Sequence, residues 1–150
     1  MTTKSQQEST LTSYLADRWE QATKKLADLV EALPENKLEW TPVDGVRSYG
    51  GVLRHLAFWN QYVLDCLNGK QADDSLNEFP VAKYPTKAKV LEAWFRNSRD
   101  IVAALRARPV LPDRKTLELA VTFLEHNSEH YGQLAVYARL MGVIPPASRG

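Results

Sequence analysis

Apolar residues recur every three or four positions in four stretches of the chain, and no stretch alternates as a half-buried strand would. The first stretch carries Leu11, Leu15, Trp19, Ala22, Leu26, Leu29 and Leu33, with Asp17, Lys24, Lys25 and Asp28 mostly on the other face. Pro34 ends it, because a proline disfavours helical geometry at the residue before it. The second stretch runs from Ser48, a predicted N-cap, through Val52, Leu53, Leu56, Trp59, Val63 and Leu67 to a stop at Gly69. The third begins near Thr86 and carries Val90, Leu91, Trp94, Ile101, Val102 and Leu105 before Pro109. The fourth begins near Asp113 and stops at Gly142, with Pro145 and Pro146 beyond. Rods of this length suit a four-helix bundle, so the expected fold class is all-α.

The segments from Pro34 to Arg47 and from Lys70 to Pro85 are too long for simple hairpins between antiparallel neighbours. At least one is therefore expected to cross over and leave two consecutive helices parallel. Residues 1–150 are expected to form a single domain, large enough to bury a core without staples.

Composition narrows the function more by exclusion than by assertion. With 44% apolar and 25% charged residues and a net charge of +1, the chain carries no strong field, and no nucleic-acid partner is expected. The third stretch is locally basic, but a charged helix face is usually a solvated one. The lone Cys66 cannot form an intramolecular disulfide or a thiolate-rich zinc site, and it fits a reducing compartment. Met1 to Thr10 lacks the apolar run of a signal peptide, and nothing approaches the length of a membrane span. The expected location is cytoplasmic, with no membrane partner.

One feature breaks the apolar pattern. The middle of the fourth stretch reads Glu125, His126, Asn127, Ser128, Glu129, His130. His126 and His130 are four apart and share a face, so their ring nitrogens can converge on one ion. Such a pair is weak evidence by itself. His55 sits on the second stretch with Trp59, Tyr62 and Ser48, a face where a histidine is more often a hydrogen-bonded core residue. Yet the chain has three histidines in all, and they meet if the second and fourth helices are neighbours. Three protein ligands with an open position is the pattern of a catalytic metal site rather than a structural one.

Several ordered segments carry a family resemblance: Leu-Pro-Glu (33–35) with Trp40 and Pro42, Val-Arg-Ser-Tyr-Gly-Gly-Val-Leu-Arg-His-Leu-Ala (46–57), His-Asn-Ser-Glu-His-Tyr-Gly-Gln-Leu (126–134), and Gly142 with Pro145 and Pro146. In these the chain resembles the DinB-like or YfiT-like superfamily of proposed metalloenzymes. The resemblance implies an up-down-down-up bundle in which His55, His126 and His130 bind Zn2+, Ni2+ or a similar divalent ion. A homodimer rests on the resemblance alone.

Around these three, Gln133 and Thr122 fall within about 40° of His126 on a helical wheel, close enough to orient a ring or a bound water. Glu129, about 60° away, is the one candidate general base, although a carboxylate on a long helix is usually solvated. Trp59 and Tyr62 are candidates to line a pocket above the ion, with core packing as their ordinary role. Cys66 lies about 16 Å along the helix from His55, too far to share its ion, and is expected in the core. Gly132 in mid-helix suggests close approach by another backbone.

An ion on three neutral rings keeps its full charge and can activate water or a thiol. The resulting expectation is a metal-dependent hydrolase acting on a small-molecule substrate. Two alternatives stand beside it: a transferase using a low-molecular-weight thiol, and a non-catalytic metal- or ligand-binding protein of a stress response.

Overall fold

A computed structural model describes residues 11–108 and 113–150. The polar start at residues 1–10 and the stop at Pro109 lie outside the described residues. Four helices form: α1 (Leu11–Ala32), α2 (Tyr49–Leu67), α3 (Lys87–Arg106) and α4 (Arg114–Leu140). Among the described residues there is no strand.

The starts of α2, α3 and α4 are set by side-chain caps. Ser48 accepts from the Gly51 amide, Thr86 from Lys89 and Asp113 from Thr116, each satisfying an amide that has no partner within its helix. At the other ends, Gly69 and Gly142 take the positive φ that stops α2 and α4. The last carbonyls of α1 are capped from outside by Lys87, whose Nζ donates to Val30 and Leu33.

Two apolar clusters stack along the bundle. One gathers Leu26, Leu29 and Val30 of α1 with Val52, Leu53 and Leu56 of α2, Val90 and Trp94 of α3, and Leu134 and Tyr137 of α4. The other gathers Leu15 and Trp19, Val63 and Leu67, Ile101 and Leu105, and Ala120 from the same helices in turn. The order in which each helix meets the clusters gives its direction. α1 and α4 run from the second cluster to the first, while α2 and α3 run from the first to the second. The bundle is therefore up-down-down-up, and the connection from residue 68 to residue 86 is the crossover between parallel neighbours. α1 packs on α3 and α4, and so does α2, so that consecutive helices other than α2 and α3 face each other across the diagonal.

Between the clusters lies a polar layer: buried Asn60, Asn97, Ser98 and Asn127. Asn60 donates to Ser98 at 2.8 Å and accepts from Asn127 at 3.5 Å. Buried amides cost stability unless paired, so this layer marks the height at which the core is not purely hydrophobic. The histidines of α4 flank Asn127 at that height.

Two arginines at the end of α3 and just beyond it are held within the chain. Arg106 bridges Asp17 and Glu20 of α1, each at 2.9 Å. Arg108 donates to the carbonyls of Ala104 and Leu67. No described helix is long and apolar enough to cross a membrane. Around Gly132, no heavy atom lies within 4 Å of where a Cβ would stand, so close approach of another described backbone is not the reason for this glycine.

Candidate metal centre

α2 and α4 are neighbours, and the seam between them brings His55, His126 and His130 together. One ligand atom from each lies within 4.8 Å of the others. His55 is 6% exposed, and the other two are half-buried. The Nε2 atoms of His55 and His126 are 2.9 Å apart, and the ring of His130 stands 4.8 Å from His55 and 4.6 Å from His126 between centroids.

The opposite nitrogens determine what these rings present to the centre. Nδ1–H of His55 donates to the carbonyl of Asn77 at 2.6 Å. Nδ1–H of His130 donates to Oε1 of Gln133 at 2.8 Å. Because a carbonyl oxygen only accepts, both rings carry their proton on Nδ1 and turn an Nε2 lone pair inward. Nδ1 of His126 is buried with no partner, and its Nε2 faces that of His55. Burial lowers the pKa of His55 to about 4, aided by the charge of Arg47, against the opposing bond to Asn77. Burial, with the neighbouring His130 and His55, lowers His126 to about 3. Both rings are neutral near pH 7, the state in which imidazole ligates metal. Three convergent imidazoles therefore fit a divalent transition ion.

Supports reach the centre from three elements. Gln133 passes its second hydrogen bond on, donating from Nε2 to the Tyr137 hydroxyl at 2.9 Å, and that hydroxyl donates to the Arg47 carbonyl at 2.9 Å. His130 is thus tied through α4 to the segment preceding α2. On the other side, Asn77 adopts a φ of 60°, the one positive value among described non-glycine residues. Its side-chain oxygen accepts from Trp59 Nε1 at 3.0 Å while its carbonyl holds His55.

Trp59 stacks on Phe123 at 5.4 Å and meets Tyr62 at 5.0 Å, and Phe123 lies 5.7 Å from His126. Behind this aromatic wall opens a groove of about 470 Å³ lined by Trp59, Tyr62, Cys66, Thr122 and Phe123, with Lys115 at its edge. Cys66 is half-buried along this groove rather than sealed in the core, and it raises the pKa of the Tyr62 hydroxyl. The expected neighbours of the ion therefore separate by position. Gln133 touches a histidine, Trp59 lies beside the rings of His55 and His126, Tyr62 is one ring further out against Trp59 and Phe123, and Thr122 is exposed on the groove. Glu129 is exposed on α4, and its carboxylate is not part of the three-ring cluster.

Arg47, Asn77 and Tyr137 were not legible as site residues. Tyr137 follows Gln133 by four positions, so helical spacing offered a signal that its apolar surroundings masked. Asn77 sits in the crossover, where no periodicity operates.

Residues 18–134, a span that includes all three histidines and Gln133, match the family model of the DinB superfamily. No curated protein matches the chain.

Proposed function

The chain belongs to the DinB superfamily, and on that premise we propose that it is a metal-dependent hydrolase of a small organic substrate, with His55, His126 and His130 as ligands. One observation carries this reading: three imidazoles converge on one point, two of them fixed through Nδ1 in the ligating tautomer. Three ligands leave coordination open for reacting groups. When bound, an ion of the zinc or nickel type supplies Lewis acidity, lowering the pKa of water and polarising a substrate oxygen.

The chain's own residues do the rest. Neutral rings leave the ion's charge undiminished. The wall of Trp59, Tyr62 and Phe123 gives the apolar part of a substrate a face to lie against, and Thr122 and Lys115 offer polar contacts at the rim. Glu129, exposed on α4 one position before His130, is our candidate proton acceptor. Hydrolysis is preferred because water needs no recognition site of its own, whereas a thiol co-substrate does.

The test is a panel of esters, amides and thiol acceptors, run with the zinc- and nickel-loaded protein. Ester or amide turnover that disappears on chelation and returns with metal supports the hydrolase. Turnover only when a low-molecular-weight thiol is supplied replaces it with a transferase. Stoichiometric metal with no turnover across the panel leaves a binding protein.

A further inference from the structure

The crossover from residue 68 to residue 86 does more than connect parallel helices. Three consecutive residues of it are pinned to the bundle near the histidines. Asn77 holds His55 and Trp59, Glu78 lies 4.0 Å from Arg47, and the Phe79 amide donates to the Arg54 carbonyl at 3.3 Å. Phe79 is further stacked on Tyr84 at 4.3 Å and set edge-on to Phe58 at 5.7 Å. The segment is a strap with Asn77 as its buckle.

The chemistry of that buckle is specific. His55 and Trp59 are one turn apart on α2, and Asn77 reaches the first with its main chain and the second with its side chain. A right-handed or extended residue would send its carbonyl elsewhere. At φ of 60° most side chains are strained, and asparagine is among the few that enter this region readily. Glycine would keep the backbone but lose the bond to Trp59. Strain of this kind persists only where surrounding contacts over-determine it, as the pins at Glu78 and Phe79 do here.

We infer that Asn77 is the positioning residue that couples the metal centre to the substrate groove, holding the His55 ring in its ligating tautomer and the Trp59 ring at the groove wall through one strained backbone unit. This rests on the metal-centre reading above. Asn77 acts through His55 and Trp59 and touches no reacting atom. Its consequence is that ligand ring and groove wall are set together: the Trp59 ring meets those of His55 and His126 edge-on at 6.3 and 6.4 Å between centroids, so zinc binding reaches Trp59 by ring contact and, through residue 77, by its hydrogen bond.

The experiment compares wild type with Asn77→Gly and Asn77→Val, using three readouts. These are the His55 tautomer by nitrogen NMR of the metal-free protein, zinc affinity by calorimetry, and the zinc-induced change in Trp59 emission. The last is isolated from the other three tryptophans by subtracting the same titration of Trp59→Phe. Asn77→Gly keeps the carbonyl, so the tautomer stays fixed and zinc affinity changes little, but the Trp59 response falls to the part carried by its ring contacts with His55 and His126. In Asn77→Val, which cannot hold the backbone, the tautomer becomes mixed and zinc binds about 10–100-fold more weakly.

An Asn77→Val protein with a lower melting temperature but wild-type tautomer and zinc affinity overturns the inference, leaving Asn77 as structural only. A Trp59 response of wild-type size in Asn77→Gly overturns the coupling. Absence of zinc binding by wild type, with the tautomer still dependent on Asn77, sinks the metal reading instead and keeps the positioning role.

Discussion

The Nε2 atoms of His55 and His126 lie 2.9 Å apart, although 71 residues separate them in the chain. With Nδ1 of His55 donating to Asn77, His126 is the donor in this contact, through Nε2.

Removal of metal is expected to lower stability. A ligand that binds only the folded state at 100 times its dissociation constant adds about 2.7 kcal/mol. Differential scanning fluorimetry with zinc and then with chelator is expected to show a rise and its reversal. His55→Ala and His126→Ala each remove a ligand and are expected to lose the zinc-dependent rise. A rise retained in His55→Ala would remove that residue from the ligand set.

Stability of the metal-free protein is expected to fall with acidification. The folded-state values of about 4 for His55 and about 3 for His126 lie below the ordinary 6.5, so below that pH the unfolded chain binds more protons. The contribution is fully present above pH 6.5 and is lost as pH drops toward the folded values. Each ring contributes up to about 1.4 kcal/mol per pH unit within that window. Urea midpoints measured from pH 8 to pH 4.5 check this, and a flat profile contradicts the buried neutral rings.

Gln133→Leu removes the acceptor of His130 Nδ1–H and a donor to Tyr137. Zinc affinity is expected to drop about 10–100-fold, the usual effect of losing a group that orients a ligand. Tyr137→Phe cuts the same relay one step further out and is expected to weaken binding less. Calorimetric titration of both variants ranks them, and equal affinities to wild type would break the relay from the site.

Gly132→Ala is expected to stabilise the protein by about 0.5–1 kcal/mol, since alanine is the better helix former and the added methyl meets nothing within 4 Å. Chemical denaturation measures the gain. A loss would show that another molecule closely approaches this face of α4.

Much of the fold was legible from residue type alone. The spacing of Leu15, Trp19 and Leu26 or of Val90, Trp94 and Ile101 specifies helices, because burying one face demands that period. Ser48, Thr86 and Asp113 mark their starts because a short oxygen side chain satisfies an amide the helix leaves open. His126 and His130 were readable as a pair for the same reason, since four residues make about one turn.

Other features depended on long-range packing. Periodicity does not say which helix lies beside which, and the His55 partnership exists only because α2 packs against α4. The expected pocket residues Trp59, Tyr62 and Thr122 could be named by face, but only the packed structure shows that they share one groove. Asn77 had no sequence signature at all. Its role comes from the crossover being pinned over α2, where a single strained residue meets two side chains one turn apart. Local sequence determined the helices and the types of ligand they carry. Tertiary packing decided the convergence and orientation of the three rings, because those are set by contacts between residues far apart in the chain.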